Sequence, residues 1–101
     1  MQFNDWVEYQ RVRKPWTATS ESLTVLGFGL AGETGEVLEH FKKWARDGSP
    51  DVSLNEKLAL EFGDVLFYWL KLLQFTGYTV EQVLQLNADK LAVRDAMRGK
   101  L

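Results

Sequence analysis

The sequence predicts an all-α fold: four helices in a bundle-like protomer that assembles into a helical-bundle oligomer. Three observations carry this. Apolar residues recur at three- and four-residue intervals along most of the chain, which is the period of a helix. No segment sustains the apolar–polar alternation of a half-buried strand. Helix caps and helix-stopping residues divide the chain into four stretches with short connections, and short connections favour antiparallel neighbours. The 101 residues fit a single domain spanning 1–101.

The first helix is expected over about 4–14. Phe3, Trp6, Val7, Tyr9 and Gln10 give it a loosely apolar side. Pro15 ends it, because the residue before a proline is pushed out of the α region. Residues 16–20 form a connector.

The second helix is expected over about 21–47, starting near Ser20 or Ser22. Leu23, Leu26, Leu30, Val37, Leu38, Phe41 and Trp44 follow the helical period. Gly48 is placed to cap its C-terminus, with Pro50 shortly after. Gly27, Gly29, Gly32 and Gly35 crowd its first half. Each costs up to ~1 kcal/mol relative to alanine in a helix interior. Such a sacrifice points to close approach of a helix or a ligand around the acids described below.

The third helix is expected over about 54–76, with Ser53 and Glu56 as a capping box. Leu58, Phe62, Val65, Leu66, Trp69, Leu70, Leu72 and Leu73 cover more than one face. A helix that apolar is central to a bundle or is covered by a partner chain. The fourth helix is expected over about 80–97. Thr79 and Gln82 form a second capping box, and Val80, Val83, Leu84, Leu86, Leu91 and Val93 supply an apolar side.

Composition narrows the function classes. The net charge is −2 with no long basic run, so a nucleic-acid polymer is not the expected partner. There is no cysteine, which excludes disulfides and thiolate metal sites. No apolar run approaches the ~20 residues that span a bilayer. The first residues lack the apolar core of a signal peptide. No membrane association is expected, and the cytoplasm is the expected location.

The chemistry concentrates in two acid pairs. Glu33 and Glu36 lie on the second helix, and Glu61 and Asp64 on the third. An i, i+3 pair projects from one side of a helix. Both pairs sit among apolar neighbours: Leu30 and Val37 for the first, Leu60, Phe62 and Val65 for the second. Four carboxylates facing a bundle interior must be paired, protonated or metal-bound, and no equal number of bases is interleaved with them. A hard divalent cation, Mg²⁺ or Mn²⁺, resolves the repulsion. The common alternative is that each pair lies on a solvated helix face.

Polar rows continue the pattern. His40 and Lys43 follow Glu36 by four and seven residues, and Tyr68 and Lys71 follow Asp64 likewise. Asn87, Lys90 and Arg94 form a third row on the fourth helix. A polyanionic ligand would need such cations and donors opposite the acids. Taken singly, each cation also reads as part of a solvated face, and His40 as a surface or hydrogen-bonded histidine.

With these residues in view, the chain resembles the MazG-like all-α nucleoside triphosphate pyrophosphohydrolases. The resemblance rests on Gly29–Val37 with Glu33 and Glu36, and on Glu61–Tyr68 with Asp64, with 24 residues between Glu36 and Glu61. Lys42-Lys43, Arg46-Asp47-Gly48 and Asn87-Ala88-Asp89-Lys90-Leu91 also look like the family. It spans about Leu23 to Arg94. It implies Mg²⁺-dependent hydrolysis of a nucleoside triphosphate between the α and β phosphates, with Mn²⁺ as a substitute. Glu33, Glu36, Glu61 and Asp64 would be the metal ligands and catalytic residues. One of them, Glu36 for preference, or a water it holds would act as general base. Lys43, Lys90 and Arg94 would contact phosphate, Asn87 phosphate or sugar, and Tyr68 sugar or base. Trp6, Trp16 and Trp44 are either core or base-stacking residues. A homodimer or homotetramer is implied, with helices of two chains building one site. The ending Arg94-Asp95-Ala96-Met97-Arg98-Gly99 departs from the Arg-aromatic-Pro ending of many relatives.

Two other readings compete. A di-iron carboxylate bundle uses Glu-x-x-His pairs, but here His40 follows Glu36 by four residues rather than three. A non-catalytic helical dimerisation module would explain the apolar helices but not acid pairs ringed by glycine.

Overall fold

Four helices form in the expected order. They are α1 (Phe3–Arg13), α2 (Ser20–Asp47), α3 (Val52–Gln74) and α4 (Val80–Gly99). The computed structural model describes residues 1–13, 19–48 and 52–99, without the side chains of Glu21, Val52 and Ser53. The expectations for Pro15, Trp16, Pro50 and the Ser53 hydroxyl lie outside the described residues. There is no strand among those described.

The helix ends follow local chemistry. Thr19 caps α2: its hydroxyl accepts from the Ser22 N–H at 3.1 Å, and the Ser22 hydroxyl accepts from the Thr19 N–H at 3.1 Å. Two otherwise free backbone donors are thereby satisfied. Gly48 ends α2 with φ 98°, donating its N–H to the Trp44 carbonyl, a conformation that favours glycine. The Thr79–Gln82 box forms as expected. Gln82 Oε1 accepts from the Thr79 N–H at 2.8 Å, and Thr79 Oγ1 accepts from the Gln82 N–H at 3.1 Å.

At its start, α3 already includes Val52 and Ser53, so it begins before the position at which the sequence signal placed the cap. At its far end it stops at Gln74, two residues short of the expectation. The N–H groups of Phe75, Thr76 and Gly77 turn back to the carbonyls of Leu72, Leu73 and Gln74. Gly77, at φ 80°, carries the chain out of this tightened turn.

The packed unit is the α2–α3 hairpin. Leu26 and Val37 of α2 are buried with Leu58, Leu70 and Leu73 of α3. The other two helices leave much apolar surface uncovered. On α4, Val80 is buried, while Leu84, Leu86, Val93 and Met97 are exposed. The radius of gyration is 17.0 Å, against about 13 Å for a compact chain of this length. The protomer is open, with helical arms around a central hairpin.

Lys71 fastens α1 to this hairpin. The sequence placed it in a solvated or phosphate-facing row, and the structure corrects that. Lys71 is 2% exposed, and its Nζ donates to the Gln10 carbonyl at 2.9 Å. That carbonyl is in the last turn of α1, where carbonyls lack helical partners and a cation is favourable. The helical period showed which side Lys71 leaves α3; it could not show that α1 covers that side. Burial pushes the ammonium pKa below its ordinary value, with Arg13 and Arg11 adding to the effect. Arg13 lies over the Phe67 ring at 5.1 Å and strengthens the same junction.

Lys71→Ala removes both a buried stem and this donor. It is expected to cost about 2–4 kcal/mol and to speed amide exchange in α1 more than in the hairpin. Equal exchange rates in variant and parent would show that Lys71 does not hold α1.

Candidate functional site

Two facing stripes build the site. Along α2, Glu33 and His40 are seven residues apart, which returns the side chain to within about 20° of the same direction. Gly29 is one turn before Glu33. Along α3, Glu61 and Tyr68 are likewise seven apart. The helices run antiparallel, so Gly29 meets Tyr68 and His40 meets Glu61. These two contacts fix the register that sets Glu33 opposite Glu61 and Asp64.

The Gly29–Tyr68 contact depends on a missing side chain. A Cβ on Gly29 would lie 2.6 Å from Cδ1 and Cζ of the Tyr68 ring, closer than real carbon contacts allow. The expected close approach is thus found at Gly29. At Gly27, Gly32 and Gly35 the added Cβ would meet nothing within 4 Å; within one chain those glycines border open space. Gly29→Ala is expected to destabilise the protein by about 1–3 kcal/mol through overpacking. Gly27→Ala is expected to stabilise it by up to about 1 kcal/mol through helix propensity. Chemical denaturation of both variants reads the two signs.

One carboxylate oxygen from each of Glu33, Glu61 and Asp64 lies within 4.8 Å of the others. Glu33 and Glu61 are half-buried, whereas Asp64 and Glu36 are exposed. The acids therefore gather at the flank of the hairpin and do not face an enclosed interior. The reason is angular: residues three apart on a helix diverge by about 60°, so one acid of each pair turns to the neighbouring helix and the other to its edge. Asp64 still reaches the cluster. Glu36 stands outside the close trio but adds its charge to Glu33.

The electrostatics match this placement. The Glu33 carboxyl is pushed above its ordinary pKa, first by burial and then by the charges of Asp64, Glu36 and Glu61, with a hydrogen bond to Glu61 adding to the shift. No Lys or Arg forms an ion pair with these four acids among the described residues. The nearest nitrogen-bearing side chain is His40, whose Nε2 is 3.7 Å from Glu61 Oε1. Crowded carboxyl oxygens without a basic partner fit a hard divalent cation such as Mg²⁺, which takes oxygen ligands. Glu33, Glu61 and Asp64 are the residues that would hold it.

The other expected site residues are placed less closely. Tyr68 is half-buried, with its ring edge-on to Phe67 at 5.1 Å. Lys43, Asn87, Lys90 and Arg94 are all exposed; Arg94 pairs with the adjacent Asp95 at 3.2 Å. Among the described residues, no hydrogen bond or ion pair joins them to the acids within one chain. Trp44 stacks with Phe41 at 6.0 Å, and Trp6 with Phe3 at 6.1 Å. The sequence had set His40 in the Glu36 row, but its cross-helix partner Glu61 is visible only in the structure.

Comparison with known proteins agrees with the geometry. The MazG nucleotide pyrophosphohydrolase domain matches residues 21–98, which include every member of the acid cluster. Gene 37 protein of Mycobacterium phage L5 is 33% identical over 76 residues, covering 73% of this chain and 67% of the phage protein. No solved structure gives a significant match. No described helix is long and apolar enough to cross a membrane. The four-helix fold, the register of the acidic stripes and the extent of the match establish that the chain belongs to the MazG nucleotide pyrophosphohydrolase family.

Proposed function

We propose that the protein hydrolyses a nucleoside triphosphate between its α and β phosphates, giving the monophosphate and pyrophosphate, with Mg²⁺ as its cofactor. The observation that carries this is the meeting of Glu33, Glu61 and Asp64 within 4.8 Å across two helices. Bound there, Mg²⁺ would neutralise phosphate charge and acidify the attacking water. Mn²⁺, with the same preference for oxygen, would substitute.

The chain's own groups divide the remaining work. Glu33, Glu61 and Asp64 would hold the cation and so position the triphosphate. Glu36, exposed beside them, accepts the proton of the attacking water on its carboxylate oxygen. Lys43, Lys90 and Arg94 bind phosphate oxygens, and Asn87 donates to phosphate or sugar. Tyr68, next to the acids on α3, borders the sugar or base.

A second copy of the chain would complete the site, as a homodimer or homotetramer. Exposed Phe28, Leu38, Leu60 and Phe62 on the hairpin, with Leu84, Leu86 and Val93 on α4, support this. So much uncovered apolar surface is typical of association faces.

The test is a panel of common and damaged nucleoside triphosphates with Mg²⁺, scored for pyrophosphate release. Release of pyrophosphate with equimolar monophosphate supports the proposal. Release of inorganic phosphate alone, or no cleavage of any triphosphate, contradicts it.

A further inference from the structure

The proposed mechanism leaves one polar side chain of the cluster without a task. His40 is 17% exposed at its side chain, and its Nε2 faces Glu61 Oε1 at 3.7 Å. Its other nitrogen, Nδ1, is buried and has no hydrogen-bond partner among the described residues. A buried N–H with nothing to donate to is more costly than a buried acceptor left unused. A ring proton therefore belongs on Nε2, aimed at Glu61, rather than on Nδ1.

The distance of 3.7 Å exceeds a hydrogen bond. The terminal torsion of a glutamate is soft, so a small rotation of the Glu61 carboxyl closes the gap. Donation to one Glu61 oxygen leaves the other for the cation, and the Glu61 carboxyl already reaches to within 4.8 Å of oxygens of Glu33 and Asp64. A free Glu61 carboxyl would instead sample several rotations, and its pull toward either neighbour would vary.

We propose that His40 is a positioning residue: its Nε2–H holds the Glu61 carboxylate so that one oxygen is presented to the cation held with Glu33 and Asp64. Groups that orient a metal-binding side chain typically change metal affinity 10–100-fold when removed. The assignment rests on the cation site proposed above and adds the residue that orders it.

The experiment titrates the full-length protein with Mn²⁺ alone, without nucleotide, and reads binding by electron paramagnetic resonance. His40→Gln carries an amide N–H close to the position of Nε2, whereas His40→Asn is too short to reach Glu61. His40→Asn is expected to weaken Mn²⁺ binding by about 10–100-fold with unchanged helical circular dichroism. His40→Gln is expected to remain much closer to the parent than His40→Asn. Parent-like binding by His40→Asn, or equal weakening in both variants, overturns the positioning role while the cation site stands. No Mn²⁺ binding by the parent protein overturns the site and this inference together. The imidazole ¹⁵N shifts of the unaltered protein give a readout that needs no variant: Nε2-protonated neutral imidazole is expected, and the Nδ1-protonated form overturns the proposal.

Discussion

Asp64→Ala is expected to lower kcat for pyrophosphate release by more than the roughly 10–100-fold that loss of a group merely orienting a metal ligand costs, while helical circular dichroism stays near that of the parent. Asp64 is exposed, yet its carboxylate reaches Glu33 and Glu61. Removing it takes a ligand from the cluster and little from the fold. Glu36→Ala is expected to reduce turnover comparably, for a different reason. Glu36 lies outside the close trio and acts on the water in the proposed mechanism. Mn²⁺ binding should therefore survive largely in Glu36→Ala and fall sharply in Asp64→Ala. Retained turnover in either variant removes that residue from its assigned role. Metal binding lost equally in both would make Glu36 a ligand rather than a base.

The second large effect is on stability. The cluster brings like charges together, so a divalent cation that binds only the folded chain should stabilise it. At a concentration 100 times its Kd, a ligand contributes about 2.7 kcal/mol. For a domain of this size that corresponds to a rise in Tm of about 10–20 °C. Differential scanning calorimetry with Mg²⁺ against a chelator measures it directly.

The pH dependence without divalent cations has a definite sign. Burial, followed by Asp64, Glu36 and Glu61, raises the Glu33 pKa above its ordinary value of 4.5. The folded chain therefore holds that proton more tightly than the unfolded chain. The resulting stabilisation is fully present below the ordinary value and is lost as pH rises through the raised one. Stability in chelator should fall over a window that begins near pH 4.5 and extends upward. Glu33→Gln should remove both this slope and most of the Mg²⁺ response. A Mg²⁺ response unchanged in Glu33→Gln would place the cation elsewhere.

Much of the fold was legible because local rules govern it. The Thr79–Gln82 box and the Gly48 cap each depend on a few adjacent residues, and both form as read. The Thr19–Ser22 cap was less visible, since serine stands where a capping box usually has glutamate or glutamine. Lys71 was misplaced because α1 folds back over it, a contact between residues 61 positions apart. The acids show the same boundary. Their i, i+3 spacing told which helices carry them, but both members of each pair looked equivalent. Only the register set by Gly29 against Tyr68 separates Glu33, turned toward α3, from the exposed Glu36. The row on α4 makes no hydrogen bond or ion pair to the acids among the described residues, and most of the apolar side of α4 is uncovered.

The most direct test of the cation site is crystallographic, using crystals grown or soaked with Mn²⁺ and its anomalous scattering. The expected result is a peak coordinated by carboxylate oxygens of Glu33, Glu61 and Asp64. A peak held by other residues, or a cluster that stays metal-free while Mn²⁺ binds elsewhere in the same crystal, would contradict it.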